Sequence, residues 1–271
     1  MKDLYQKQSK NELQLCNQTD QPYCVITFYK LCNLTATTNI QKQLFNECRK
    51  NNIKGTILIA AEGINSTVVG TYDGITKLWQ KITAIPEFSN IIYKISYADS
   101  PPFDKLKVKI KESVITFNLP QKFEDAWHKN ETNQKPVRGE YLDPEAWDDL
   151  IANPDTILVD TRNHYEVAMG SFQNAINPLI SNFSELSRWV EENLANVDKT
   201  KPIAMYCTGG IRCEKSTSLL KIMGFTNVYH LRDGILSYLE HRKRTKTNST
   251  WQGQLFVFDN RVGLNKDLEP I

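Results

Sequence analysis

The chain has 271 residues, of which 40% are hydrophobic and 24% charged, and a formal charge of +2. Those proportions exclude a wholly disordered chain, and at about 150 residues per domain they predict two folded domains. No apolar run approaches the roughly 20 residues a bilayer needs, and MKDLYQKQSKNELQ lacks the apolar core of a secretory signal.

Six cysteines (Cys16, Cys24, Cys32, Cys48, Cys207, Cys213) have no paired Cys-x-x-Cys spacing. They are too sparse for a disulfide scaffold, so a cytoplasmic protein with mostly free thiols is expected. Residues 1–120 hold 15 Lys and Arg against 10 Asp and Glu, while residues 121–271 hold 18 against 21. A positive half joined to a mildly negative one permits a polyanionic partner without requiring it.

Residues 1–20 read as an N-terminal extension and 21–118 as a first domain. Val25–Leu31 is rich in β-branched and aromatic residues and predicts a strand. Ile40, Leu44 and Cys48, four apart, make the stripe of a helix over Asn39–Asn51. Thr56–Ala61 and Ser66–Val69 are two strands joined by the turn Glu62-Gly63-Ile64-Asn65. A helix over Asp73–Ala84 and a strand over Ile91–Tyr97 follow. The β-α-β-β-α-β order is that of a ferredoxin-like sandwich. Next, Lys105, Lys107, Lys109 and Lys111 alternate with Leu106, Val108 and Ile110. The lysines share one strand face at intervals of about 6.8 Å. They either track a phosphate backbone or guard an edge strand against aggregation.

Residues 119–142 are linker-like, with a short helix around Phe123–Trp127. From 143 to 246 the rhythm is α/β: helices at Pro144–Ile151, Ser184–Leu194, Glu214–Met223 and Ile235–Arg242, and buried strands at Thr156–Asp160, Pro202–Tyr206 and Val228–Leu231. This predicts a parallel sheet covered on both faces, with its site at the carboxyl ends of the strands. Residues 247–271 are expected to pack back through Trp251, Phe256 and Phe258.

One such end carries Cys207-Thr208-Gly209-Gly210-Ile211-Arg212-Cys213. The glycines let the backbone curl and turn successive N–H groups inward. The helix that follows adds the positive end of its dipole, and Arg212 a permanent charge. All three favour thiolate, so the Cys207 pKa is expected below the free value of about 8.5. Inward N–H groups would also hold an anionic adduct on sulfur, such as a persulfide.

This loop, with Val159-Asp160-Thr161-Arg162 before it and Gly224-Phe225-x-x-Val228-Tyr229-His230-Leu231 after it, resembles a rhodanese domain. Together with Glu62-Gly63-Ile64-Asn65 and Gly70, Gly139-Glu140-Tyr141, Asn163, Tyr165-Glu166, Glu214-Lys215, Phe256-Val257-Phe258-Asp259 and Arg261-Val262, it resembles the bacterial tRNA uridine-34 hydroxylases over roughly 20–264. The resemblance implies an acylphosphatase-like first domain, a rhodanese second domain, and Cys207 as the active cysteine, a persulfide carrier in such proteins. It also implies dioxygen as co-substrate and the tRNA anticodon region as partner. Members usually show Gly-Gly before the last helix, where this chain has Arg232-Asp233-Gly234. Many also have a cysteine-rich C-terminal tail, but here no cysteine follows Cys213, so no metal or redox role is expected from one.

The supporting residues keep two readings each. Asp160 and Arg162 are a pair that buttresses the loop or a purely structural one. Glu166 accepts from Arg212 or is solvated, and Cys213 resolves an oxidised Cys207 or is simply buried. The histidines (His128, His164, His230, His241) lack metal-ligand spacing, and no Gly-x-Gly-x-x-Gly suggests a flavin. Arg242, Lys243, Arg244 and Lys246 form a second basic run. With the lysine strand it would grip anticodon phosphates while nearby aromatics stack a splayed base. Besides the hydroxylase, a sulfurtransferase with a sulfane-sulfur donor fits the loop. A phosphatase would need one more loop residue, and retention of Cys207 and Arg212 speaks against a non-enzymatic RNA binder.

Overall fold

The computed structural model describes residues 21–131 and 136–271; the expected extension, 1–20, lies outside them. The chain divides into two compact units, one running to Ile115 and taking in Asp259–Arg261, the other holding Thr116–Phe258 and Val262–Ile271.

The first unit comprises β1 (Tyr23–Leu31), α1 (Thr37–Lys50), β2 (Lys54–Ala60), β3 (Gly63–Gly70), α2 (Tyr72–Thr83), β4 (Tyr93–Ala98) and β5 (Leu106–Ile110). Its sheet order is β4-β1-β3-β2-β5, antiparallel except for the β2–β5 pair. This is the expected ferredoxin-like order with β5 added at the edge. Both helices bury the stripes read from the sequence: Ile40, Leu44 and Cys48 from α1, and Ile75, Leu78, Trp79 and Ile82 from α2. Trp79 meets Phe28 and Tyr93 edge-on, at 5.6 and 4.9 Å between ring centroids. The Thr71 hydroxyl accepts from Gly74 N at 3.3 Å and so caps α2. On β5 only Val108 is buried; Ile110 is exposed along with all four lysines.

The second unit begins with α3 (Glu124–Glu131), β6 (Glu140–Leu142) and α4 (Pro144–Ile151). It continues through β7 (Ile157–Asp160), α5 (His164–Val167), β8 (Gly170–Phe172), α6 (Leu186–Leu194) and β9 (Ile203–Tyr206). Then come α7 (Ile211–Ile222), β10 (Val228–Leu231), α8 (Gly234–Thr245), β11 (Trp251–Gly253), β12 (Leu255–Phe256) and β13 (Gly263–Leu264). A parallel sheet runs β6-β10-β9-β7. Its core stacks aromatic edges on faces: Phe172 against Tyr206, Tyr238 and Trp251 at 4.9, 5.0 and 5.2 Å.

Two features differ from expectation. Residues 119–142 are not a bare linker, because β6 supplies a strand and α3 packs on α7. Helix α7 has polar residues on every side, yet Ile211–Leu220 is buried throughout. The preceding segment seals it with polar partners. Ser218 Oγ accepts from Asn130 Nδ2 at 2.6 Å and donates to Val137 O at 3.0 Å, while Glu214 accepts from the Tyr141 hydroxyl at 2.8 Å and pairs with Arg138 at 3.0 Å. The C-terminal segment packs back through Trp251 on β11, paired with β8. Phe258 does not follow it inside.

Candidate active site

Tyr206, the last residue of β9, delivers Cys207 to the carboxyl end of the sheet. Gly210, at φ +98, turns the chain into α7. Helix α8 holds the loop from behind: Ile235 N donates to Cys207 O at 3.0 Å and Leu236 N to Thr208 O at 3.1 Å. Across a trans peptide the N–H points opposite to its carbonyl. Anchoring these two carbonyls on α8 therefore aims the Thr208 and Gly209 N–H groups the other way, into the cradle.

Cys207 Sγ accepts from Gly210 N at 3.1 Å. Cys207 is only 1% exposed, and the loop meets solvent at half-buried Thr208 and Gly209. Burial pushes its pKa up, but the Cys213 thiol, the Arg212 charge and the Arg212 and Gly210 N–H groups outweigh it and bring it to about 6. Cys213 moves the opposite way: burial and the adjacent Cys207 sulfur hold it protonated. It is therefore the donor of the pair, and its sulfur also lies 3.8 Å from Thr161 Oγ1.

Glu166 organises the far side. Its carboxylate takes Arg212 Nη1 at 2.8 Å and Nη2 at 2.9 Å, Thr208 Oγ1 at 3.3 Å and Asn163 N at 3.1 Å. Burial works against the Arg212 charge, and Glu166 more than restores it. Asp160 and Arg162 form a wholly buried pair at 2.6 Å, one step removed from Cys207. Arg162 also donates to Gly170 O at 2.6 Å, so the pair braces the turn that carries Glu166, and the Arg162 guanidinium lies over the ring of Tyr206, the residue before Cys207. Ile211 is buried at the start of α7, and Lys215 and Ser216 are buried in its next turn.

The basic residues divide between the two units. Lys105, Lys107, Lys109 and Lys111 stand exposed along edge strand β5 of the first unit. In the second unit Arg242 leaves the expected basic run. It is buried, donates to Asp148 Oδ2 at 2.5 Å and Pro144 O at 2.9 Å, and lies over the Tyr238 ring. Lys243 donates to Asp267 O at 2.8 Å, Arg244 faces His241 Nδ1 at 3.3 Å, and Lys246 ends α8 in a left-handed conformation. Consecutive helical residues point about 100° apart, so Arg242, Lys243 and Arg244 cannot share one face of α8.

In the sequence Gly234 stands out only as part of a turn that departs from the family, and nothing there foretells its contact with the Cys207 loop. Its φ is +71, and a Cβ there would stand 2.5 Å from Cys207 O and 2.8 Å from Gly210 N. The Asp233 that departs from the family's Gly-Gly adopts φ +59, a left-handed conformation that Asp tolerates better than most residues. The loop is thus held despite the substitution. Among the described residues no group of three His, Cys, Asp or Glu side chains converges as a metal site, and no helix is long and apolar enough to cross a membrane.

A parallel sheet with a cysteine cradle at a strand's carboxyl end defines a rhodanese-type domain, here joined to an acylphosphatase-like one. The corresponding family models match: the UPF0176 acylphosphatase like domain over residues 23–114 and the Rhodanese-like domain over 143–241. A tRNA uridine(34) hydroxylase of Wolbachia sp. subsp. Brugia malayi (strain TRS) is 40% identical over 92% of this chain and 87% of that protein. One of Agrobacterium fabrum (strain C58 / ATCC 33970) is 43% identical over 89% of this chain and 73% of that protein. A rhodanese-like domain from Anabaena sp. aligns at 17% identity with a TM-score of 0.33, covering 43% of this chain and 80% of that domain. The chain belongs to the tRNA uridine(34) hydroxylase family.

Proposed function

We propose that this chain hydroxylates C5 of uridine 34 in tRNA, giving 5-hydroxyuridine, with Cys207 as the nucleophile. The observation that carries the reading is the Cys207 sulfur of a family member, held in a polar cradle at a pKa of about 6. At neutral pH it is a thiolate, able to add to C6 of a pyrimidine. The electron pair of the C5–C6 bond then moves to C5 and the C4 oxygen as an enolate. Dioxygen takes that pair and bonds to C5. The peroxide takes a proton from solvent, and two external thiols reduce the hydroperoxide: its outer oxygen leaves as water and the two thiols join as a disulfide. Loss of the C5 proton restores the double bond and expels the Cys207 sulfur. Lys105, Lys107, Lys109 and Lys111, with Lys243, Arg244 and Lys246, are the candidate phosphate contacts, and Arg242 is not.

The test is nucleoside mass spectrometry of tRNA from a strain lacking this gene. Wild-type protein should restore 5-hydroxyuridine and Cys207→Ala should not; restoration by Cys207→Ala would remove Cys207 from the reaction. A sulfurtransferase reading is not favoured, since both relatives are named hydroxylases.

A further inference from the structure

Most aromatic side chains of the second unit's core are buried, but two large rings beside the cradle are not. Phe258 is 56% exposed and Tyr165 45%. They belong to one chain of contacts. Tyr165 sits next to Glu166 on α5 and packs edge-on to Phe256 at 5.1 Å and 73°, and Phe256 packs edge-on to Phe258 at 5.1 Å and 84°. Phe258 in turn lies under the Arg212 guanidinium, 5.6 Å from ring centroid to carbon. Edge-on packing sets the rim of one ring against the face of the next, and Arg212 covers part of one Phe258 face, yet more than half of Phe258 and nearly half of Tyr165 still meet solvent.

The backbone that presents Phe258 is strained. Val257 N donates to Val262 O at 3.0 Å, closing the turn, and Val262, 54% exposed, sits at φ +62. A β-branched residue in that region is a steric outlier, the kind of strain that persists where a structure holds a functional group in place. Arg212 is already bound in two-point fashion by Glu166, so its charge is largely matched before any ligand arrives. What the mouth offers is flat, uncharged π surface, which suits a neutral planar heterocycle better than a phosphate or an acidic peptide.

We infer that Phe258, supported by Phe256 and Tyr165, is the stacking seat for the pyrimidine base that reaches Cys207. The inference rests on the hydroxylase reading for the identity of that base. A splayed-out base stacks on aromatic side chains in this way, and the interaction tolerates any base because every base has a π face. Choice of uracil therefore lies with the polar cradle and not with the rings.

The test compares two anticodon stem–loop RNAs, one with uridine at the target position and one abasic there. Wild-type protein should bind the uridine loop about 5- to 150-fold more tightly, the range that aromatic stacking on a base supplies. Phe258→Leu and Tyr165→Leu should bring that ratio towards one, and Phe258→Trp should keep it, with melting temperatures read on each variant. A wild-type ratio of one, or an unchanged ratio in Phe258→Leu, overturns the seat. Hydroxylation of the same RNA reports separately. A uridine preference without 5-hydroxyuridine removes the hydroxylase reading and leaves the seat standing. Wild-type kcat/KM in Phe258→Leu removes the seat and leaves the hydroxylase reading.

Discussion

A Cβ at Gly234 would lie 2.5 Å from the carbonyl oxygen of Cys207, so the start of α8 touches the nucleophile's own peptide through bare backbone. That closeness is what lets Ile235 and Leu236 bind the two carbonyls and aim the loop amides inward. Gly234→Ala must push the loop away and also adopt φ +71. The expected cost is about 1–3 kcal/mol in stability, with the Cys207 pKa rising from about 6 towards the ordinary thiol range. Chemical denaturation and the pH profile of iodoacetamide labelling measure the two effects. A normal profile in this variant would mean that α8 does not shape the cradle.

The thiolate itself has a simple signature. Because the Cys207 pKa is lowered to about 6, alkylation should rise through that pH and level off above pH 7. An ordinary thiol would still be climbing there. Cys213→Ala removes a donor to the sulfur and should shift the midpoint upward; Cys213→Ser restores a donor and should shift it back. Equal midpoints in all three proteins would deny Cys213 its part in activation.

Glu166 and Arg212 are buried together, so breaking the pair leaves a charge without its match. Glu166→Gln should destabilise the second unit by about 3–5 kcal/mol. Its effect on Cys207 has the opposite sign from a general loosening. With the carboxylate gone, the net positive charge near the sulfur grows, so the labelling midpoint should stay or fall. A midpoint that rises would show that Glu166 acts by holding the loop's shape and not through charge.

The contrast between these residues and others explains what was legible in the sequence. Cys207, Gly210 and Arg212 act through properties that adjacent residues carry with them, namely a thiol, a left-handed turn and a fixed charge. Short apolar, β-branched and aromatic runs broken by turn residues likewise gave away β1–β4, and apolar positions at helical spacing gave away α1 and α2. Helix α7 hid its burial because its partners are polar: Ser218, Glu214 and Thr217 have no apolar stripe to detect. Strand β6 is three residues in a segment rich in turn formers, and only its pairing with β10 makes it a strand. Phe258 looked like core because a phenylalanine in a strand-like run usually is. Nothing in the local pattern shows which side of a closed turn it takes.

Arg242 and the β5 lysines separate two uses of positive charge. Arg242→Gln breaks a mostly buried pair with Asp148, so it should lower stability while leaving the salt dependence of RNA binding unchanged. Lys107 and Lys109 are exposed on an edge strand, and replacing them costs little folding energy. If they touch phosphate, the double variant Lys107→Gln, Lys109→Gln should lower the slope of log K against log salt by about 0.7–0.9 per lost contact. It should also weaken binding to all RNA sequences alike, because phosphate contacts carry no base information. Measuring tRNA affinity from low to moderate salt decides between the two uses. An unchanged slope in the lysine variant would leave β5 with the protective role of a charged edge strand.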